Sequence, residues 1–154
     1  MKTDVHTAGI VAVCRSEEKG TPKKPVAEGI LKQAYGLVGD AHADCCTHRQ
    51  VSLLGMESID KVRKQGFDVG PGDFAENLTT EGVELVSLPV GTRICVGKDI
   101  LLEVTQIGKK CHSGCAILRE IGQCIMPKEG IFARVIRGGH VRAGDRLVVE
   151  RNEQ

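Results

Sequence analysis

Short apolar runs rich in β-branched residues, separated by glycine-rich turns, constrain the fold of this chain more than any other feature. Runs of this length, bounded by turn residues, are typical of β-strands. Nineteen glycines among 154 residues exceed the usual share and predict many turns. A Gly-Lys-Asp turn at 97–99 predicts a hairpin between the two runs that flank it. The segments predicted as strands are residues 5–14, 50–54, 93–96, 100–107, 131–136 and 146–150.

One segment, residues 56–65, has the periodicity of a helix. Its apolar residues Met56, Ile59 and Val62 recur at helical spacing, and Gly66 stands where the helix would end. A second, shorter helix is predicted at 113–123. Residues 15–25 are predicted as a loop and residues 27–38 as strand and turn. Residues 67–78 are predicted as a glycine-rich connection.

The length suits one domain, covering residues 1–154, because two domains would each be too small to bury a core. Hydrophobic residues make up 41% of the chain but aromatic residues only 3%, and tryptophan is absent. The core must therefore be built from valine, isoleucine and leucine. Many short strands with one clear helix predict a mainly β fold, a barrel-like domain with a few short helices.

Charge and targeting signals exclude several partners. The net charge of +1 gives no nucleic-acid signal. The first six residues lack an apolar signal-peptide core, and no apolar run approaches a membrane span. Seven cysteines, an odd number, are then expected to be reduced thiols in a cytoplasmic protein rather than a disulfide scaffold. We expect neither nucleic acid nor membrane as a partner.

Reactive chemistry is predicted in the segment 108–117. It holds Cys111 and Cys115, with Lys109, Lys110 and His112 around them. A thiol acts as a nucleophile or metal ligand only as the thiolate, which nearby positive charge favours. Residues 109–154 carry nine basic and five acidic side chains. This local excess favours a small anionic ligand, although an ordinary scatter of surface charge would look the same.

Cys115 is the better nucleophile candidate of the two. An apolar run at 116–118 follows it directly, so a helix starting there would place Cys115 near its positive N-terminal end. Gly114 would let a ligand approach the backbone closely. Cys111 is the second thiol.

Two other interpretations of the cysteines stay open. A zinc site would need a second chelating pair, and the adjacent Cys45 and Cys46 make a geometrically poor one. Alternatively, the cysteines are small buried hydrophobes, which is the best account of Cys14 and Cys95 and extends to Cys124.

Weaker polar signals lie elsewhere in the chain. Asp40 and His42, spaced by two residues, could orient a ligand together with Arg49, or could belong to a solvated loop. Glu76 and Asn77, in a glycine-rich stretch, could bind a ligand but are interpreted first as structural capping groups. The pairs Gly138-Gly139 and Gly144-Asp145 are predicted to be turns without a ligand role.

Five stretches follow one another in a recognisable order: GLVGDAH (36–42), RQVSLL (49–54), GDFAENLTT (72–80), LEVTQIGKKCHSGC (102–115) and GQCIMPKEGIFARV (122–135). Together they resemble the MOSC domain, named for the C-terminal domain of molybdenum cofactor sulfurases. The resemblance spans residues 8–150 and is greatest to the small stand-alone prokaryotic members.

The resemblance implies a β-barrel and a role around the molybdenum cofactor, molybdopterin. One cysteine followed by an apolar run marks the family, and Cys115 matches it, with Cys111 as the alternative. That cysteine would carry sulfur as a persulfide or ligate molybdenum. The cofactor is anionic through its phosphate, which lysine and arginine suit, and its metal suits a soft thiolate. The cofactor-binding residues expected on these grounds are Lys109, Lys110, His112, Arg134, Asp40, His42, Arg49, Glu76 and Asn77.

The chain departs from the larger sulfurases, since it has no room for a pyridoxal-phosphate desulfurase domain. It would therefore bind, carry or deliver the cofactor in maturation, with a cysteine desulfurase, a molybdopterin-biosynthesis protein or a molybdoenzyme as partner. A sulfur-relay or scaffold protein that receives persulfide from a desulfurase is the first alternative. A small molybdenum-dependent reductase of N-hydroxylated compounds is the second, and a zinc-stabilised binding module is the last.

Overall fold

A closed barrel of seven strands organises the chain in the computed structural model, which describes residues 8–18, 22–41, 43–108 and 129–150. The fold is mainly β, as predicted. The strands are β1 (Ala8–Arg15), β2 (Lys24–Val26), β3 (Glu28–Lys32), β4 (Gly36–Leu37), β5 (Val51–Gly55), β6 (Leu78–Glu81), β7 (Arg93–Val96), β8 (Ile100–Ile107), β9 (Ile131–Arg137), β10 (Gly139–Arg142) and β11 (Arg146–Glu150). The helices are α1 (Met56–Arg63) and a 3-10 turn (Leu85–Ser87).

The barrel runs in the order β1–β11–β7–β8–β9–β5–β6 and returns to β1. Neighbouring strands are antiparallel except β5 and β6, which are parallel. β2 pairs with residues 13–15 of β1, beyond the short stretch that pairs with β11, and β10, β3 and β4 form a separate small sheet. The predicted hairpin is confirmed, since β7 and β8 pair from Arg93↔Glu103 to Val96↔Ile100.

The barrel interior is aliphatic, as the composition predicted. Alternate residues of each strand point inward, because side chains along a strand alternate between its two faces. On β9, for example, Ile131, Ala133 and Val135 join the core cluster. Among the described residues, that cluster contains no aromatic side chain.

The aromatic residues Phe74 and Phe132 instead belong to a second cluster, outside the barrel. There Ile59 and Val62 of α1 pack with them and with Leu54 of β5. The helix predicted from the spacing of its apolar residues is thus confirmed: its apolar stripe covers the outer face of the sheet.

Several segments differ from their predicted states. The predicted loop 15–25 ends in β2, where Pro25 is accommodated because β2 is an edge strand, as proline in a sheet requires. Gly139, predicted to lie in a turn, begins β10 and pairs with Leu31. The predicted connection 67–78 gives way to β6 at Leu78. The helix predicted at 113–123 lies outside the described residues.

Candidate functional site

The candidate cysteines belong to the connection between β8 and β9; we call its residues 109–128 the cysteine segment. The backbone N–H of Gly108 donates to the carbonyl of Gly130 at 2.8 Å, which closes the base of the segment. The Gln106 side chain reinforces the base, because its Nε2 donates to the Gly108 carbonyl at 2.7 Å. This segment lies outside the described residues and contains five predicted site residues: Lys109, Lys110, Cys111, His112 and Cys115. His42, which lies far upstream, is also outside the described residues.

The returning end of the segment is held against the helix. The Glu129 carboxylate accepts a hydrogen bond from the Ser58 hydroxyl and forms a 3.1 Å ion pair with Lys61. Both side chains come from α1. The two described residues that flank 109–128 are therefore held in place, Gly108 by the β8–β9 pair and Glu129 by α1.

Arg49 and His48 meet at the base of the same segment. The Oε1 atom of Gln106 accepts from Arg49 Nε at 2.9 Å and from His48 Nε2 at 2.6 Å. The Arg49 guanidinium also lies over the ring of Phe132, 5.4 Å from its centroid, within the range of a cation–π contact. One glutamine thus connects a cation and an imidazole to the start of the cysteine segment.

Arg134 lies on the same outer face of the sheet. It pairs in register with Glu103, and Phe132 pairs with Gln106. Residues opposite each other on neighbouring strands share a face, so Arg134 lies one step along β9 from the Arg49 contacts. Arg134 Nη2 is 2.6 Å from Glu103 Oε1, and its side chain is half exposed. We call the set Arg49, His48, Gln106 and Arg134 the β8–β9 face.

The electrostatic states of the two arginines differ. Arg134 is compensated by the Glu103 carboxylate. In the described part of the chain, Arg49 contacts an amide and a ring but no carboxylate. A guanidinium presents several N–H donors in a rigid fork that suits phosphate oxygens. The face can therefore receive an anion next to a thiol-bearing segment.

Asp40, predicted as a ligand-binding residue, lies in a buried ion pair. Its Oδ1 is 2.8 Å from Lys23 Nζ, and both side chains are almost fully buried. The same oxygen accepts from the backbone N–H of Ser16 at 3.0 Å. Asp40 thus joins the loop after β4 to the end of β1.

Asn77 is also a framework residue. Its Oδ1 accepts from the N–H of Ser52 at 3.0 Å, and its Nδ2 donates to the carbonyl of Cys14 at 3.2 Å. Ser52 is on β5 and Cys14 on β1, so the amide bridges the strands on either side of β6.

Glu76 lies beside Asn77 and is fully buried. Its Oε2 accepts from the N–H of Gly72 at 2.8 Å and from the Thr79 hydroxyl at 2.6 Å. Burial raises the pKa of this carboxyl above its usual value. These contacts agree with the capping role that the sequence favoured.

The interpretation of Cys14 as a small hydrophobe is confirmed. It is fully buried, and desolvation, followed by the nearby Glu76 carboxylate, raises the pKa of its thiol to about 12. Cys95 is only partly buried, with its sulfur 3.5 Å from Glu150 Oε2. Its pKa is raised as well, by desolvation and then by the hydrogen bond to Glu150.

A cluster that the sequence did not predict is formed by Asp44, Cys45 and Cys46. Adjacent side chains diverge in an extended chain, but here residues 45–46 form a turn. Their sulfurs lie 3.4 Å apart, and the three potential ligand atoms lie within 4.8 Å of one another. The hydrogen bond shared with Cys45 raises the pKa of the Cys46 thiol. A turn-forming aspartate directly before the cysteine pair was the available signal.

Within the ranges 8–18, 22–41, 43–108 and 129–150, the structure contains no helix long and apolar enough to span a membrane.

Comparisons with known proteins agree on the fold. The structure superimposes on the YuaD protein of Bacillus subtilis with a TM-score of 0.79 and 19% identity, covering 97% of this chain and 99% of that chain. It matches YiiM from Geobacillus stearothermophilus with a TM-score of 0.71 and 21% identity, over 94% of this chain and 75% of that chain. It matches YiiM from Escherichia coli with a TM-score of 0.66 and 20% identity, over 99% of this chain and 72% of that chain.

A search of curated protein sequences finds no match. A family model does match: that of the MOSC domain aligns with residues 39–148, well over half of the chain. The aligned range contains the β8–β9 face and the whole cysteine segment. With its barrel and this match, the chain belongs to the MOSC domain family.

Proposed function

We propose that this protein binds the molybdenum cofactor or a precursor of it at the β8–β9 face, with Cys115 as the sulfur-carrying or metal-ligating thiol. The family is associated with this cofactor. The observation that carries the proposal is the position of Gln106, whose amide holds Arg49 and His48 with one end and the start of the cysteine segment with the other.

The described residues fit the anionic part of such a cofactor. Arg49 provides a cation whose described partners are neutral, so a phosphate can bind it without displacing a carboxylate. Arg134 would have to exchange Glu103 for the ligand. Hydrogen bonds between charged partners contribute about 1.5–3 kcal/mol each. Arg49 is therefore proposed as the principal phosphate contact and Arg134 as a secondary one.

The cysteine segment is proposed to bind the metal and sulfur atoms of the cofactor. The cofactor supplies metal and sulfur chemistry, for which a thiolate is a suitable ligand. Cys115 would provide it, Cys111 would be the second thiol, and Lys109, Lys110 and His112 would favour the thiolate form. These roles, and that of His42, are predictions from the sequence and the family.

Asp40, Glu76 and Asn77 have a different part in the proposal. Their side chains are buried: Asp40 joins the loop after β4 to the end of β1, Asn77 bridges β1 and β5, and Glu76 holds the turn at Gly72. We assign them to holding the framework behind the site rather than to direct contact with the cofactor. A cysteine desulfurase, a molybdopterin-biosynthesis protein or a molybdoenzyme remains the proposed partner, in the reducing environment of the cytoplasm.

The experiment is to produce the protein in cells that make the cofactor and to measure the pterin and molybdenum retained after purification. The variants are Cys115→Ala, Cys111→Ala and Arg49→Ala, with Arg63→Ala on the exposed side of α1 as the matched control. We expect Arg49→Ala to retain about tenfold less pterin, because it loses a charge-assisted contact. Cys115→Ala should lose the persulfide detected by mass spectrometry or the bound molybdenum, whereas Arg63→Ala should match the wild type.

Equal pterin in wild type, Arg49→Ala and Cys115→Ala, with no persulfide in any of them, would contradict the proposal. A persulfide on Cys115 without retained pterin would indicate the sulfur-relay alternative instead. In that case the protein should be captured by a cysteine desulfurase, and capture should depend on Cys115.

A further inference from the structure

The cysteine pair at 45–46 lies outside the β8–β9 face and has no part in the proposed function. Both side chains are exposed, and their sulfurs are 3.4 Å apart. An Asp44 carboxylate oxygen completes a group whose ligand atoms all lie within 4.8 Å of one another. Two thiols and a carboxylate therefore converge at one exposed point.

The backbone holds this group in place. The N–H of Asp44 donates to the carbonyl of Tyr35 at 2.9 Å, and Gln50 Nε2 lies 3.4 Å from the carbonyl of Asp44. The N–H of Cys46 donates to Asp44 Oδ1 at 2.9 Å, which turns the carboxylate toward the pair. The Asp44 carboxylate and the backbone of the turn are therefore positioned before any metal ion binds, which lowers the entropic cost of binding.

The spacing of the sulfurs favours chelation over a disulfide. Adjacent Cα atoms are about 3.8 Å apart, shorter than the roughly 4.4–6.8 Å that disulfides usually span, so a bond between these residues would be strained. Two thiolates bound to one tetrahedral ion at about 2.3 Å would stand about 3.8 Å apart. The observed 3.4 Å needs only a small opening to reach that value.

We propose that Cys45 and Cys46, together with Asp44, form a chelate site for one soft, thiophilic metal ion. The two thiols bind as thiolates, so two protons pass to solvent and no electrons are transferred. Soft ions prefer thiolate ligands to oxygen or nitrogen ligands. Because three protein donors leave a position open to solvent, the ion would be exchangeable, unlike a closed structural zinc site.

Cadmium is the probe, used anaerobically with reduced protein. Cys111, Cys115 and Cys124 are replaced by serine to give a background variant in which the other segment cannot compete. Native mass spectrometry and the ultraviolet thiolate-to-cadmium absorption should show one ion bound. Losing a residue that supports a metal ligand typically lowers metal affinity about 10–100-fold. Because Cys45→Ser and Cys46→Ser each remove a ligand itself, we expect either variant to bind cadmium about 100-fold more weakly.

Two further variants sharpen the test. Asp44→Asn should weaken cadmium binding about tenfold while leaving one ion per chain. Cys95→Ser removes a partly buried cysteine outside the cluster and should leave the affinity unchanged. Circular dichroism checks that each variant is folded.

Alkylation of wild-type protein gives a test that needs no variant. Cadmium should protect Cys45 and Cys46 together from iodoacetamide, as read by peptide mapping. The proposal is overturned if the folded background variant binds no cadmium, if the double variant Cys45→Ser/Cys46→Ser binds it equally well, or if cadmium leaves both cysteines equally reactive. None of these outcomes depends on pterin binding.

Discussion

At the scale of single residues, Glu76 shows how a polar group in the interior is used. Its Oε2 receives two hydrogen bonds, whereas Oε1 is buried and has no partner among the described residues. An acid desolvated in this way favours its neutral form, which can donate a proton, so the pKa of Glu76 is raised. The residue holds the turn at Gly72 but costs stability whenever it is ionised.

Glu76→Gln is therefore expected to change how stability depends on pH. The native state holds the Glu76 proton more tightly than the unfolded chain does. In the unfolded chain a glutamate titrates at about pH 4.3. The contribution of this proton is fully present below that pH and is lost as the pH rises through the native pKa. Glutamine does not ionise, so Glu76→Gln should gain stability relative to wild type as the pH rises through this window. The gain is about 1.4 kcal/mol for each pH unit the window spans.

Urea denaturation from pH 4 upward, followed by circular dichroism, measures this difference. Glu84→Gln, at an exposed position, is the control and should show no such trend. A constant difference in unfolding free energy between Glu76→Gln and wild type across the range would contradict a raised pKa.

At the scale of elements, the connection from α1 to β6 is held by one close backbone approach. The carbonyl of Gly72 accepts from the N–H of Lys23 at 2.7 Å. Gly72 has a φ of +89°, and a Cβ placed on it would lie 2.1 Å from the Lys23 carbonyl oxygen. Glycine is required here on two counts, the left-handed backbone and the lack of space.

Comparison with Gly91 separates these two requirements. Gly91 has a φ of +98°, and a Cβ added there would have no neighbouring atom within 4 Å among the described residues. Gly91→Ala should therefore lower the free energy of unfolding by about 1–2 kcal/mol, the cost of a left-handed backbone for a residue with a Cβ. Gly72→Ala should cost at least about 3 kcal/mol, because the Lys23 segment must also move. Denaturant midpoints at a common pH test this, and equal losses for the two variants would show that the close approach is unimportant.

At the scale of the whole molecule, closing the barrel depends on strands from opposite ends of the described chain. β1 and β11 pair through Ala8↔Leu147 and Gly9↔Arg146. The hydrogen bond from Ile10 N to the Asp145 carbonyl, 2.9 Å long, extends this β1–β11 pairing, which we call the seam of the barrel. Folding must therefore bring together distant segments, which is typical of slowly folding β proteins.

Leu147→Ala tests how far the seam supports the rest of the barrel. Leu147 is fully buried in the core at the junction of β1, β11 and β7, so its truncation should cost about 2–5 kcal/mol. The neighbouring Val148 is 43% exposed, and Val148→Ala should change stability by no more than about 0.5 kcal/mol. Circular dichroism should show one cooperative transition at lower denaturant for Leu147→Ala. A loss no larger than that of Val148→Ala would mean that the seam adds little.

Sequence patterns predicted the local elements well where the period was clear. The β7–β8 hairpin, α1 and β9 follow from a tight turn, a helical apolar stripe and a β-branched run, all of which are local signals. β2 and β10 were missed because Pro25 and Gly139 oppose strand propensity, and only pairing with β1 and β3 makes them strands.

For the candidate site, too, the sequence predicted what depends on residue type and missed what depends on contacts between distant residues. Arg49 could be selected because it matches a recurrent position of the family that the sequence resembles, and Arg134 because it follows the cysteine segment closely in the chain. The sequence also favoured a capping role for Glu76 and Asn77. It could not show that Asp40 would be neutralised by Lys23, or that Gln106 would connect Arg49 to the segment, since both contacts join residues far apart in the chain.

The sequence by itself determined that the chain is mainly β, has an aliphatic core and carries a thiol segment in a cationic setting. These properties depend on residue type and short-range periodicity, which the sequence contains directly. Only the tertiary structure decided how the strands close, which polar residues are buried in the framework, and that Cys45 and Cys46 converge with Asp44. Those outcomes depend on β pairing between distant segments and on the backbone turns that such pairing fixes in space.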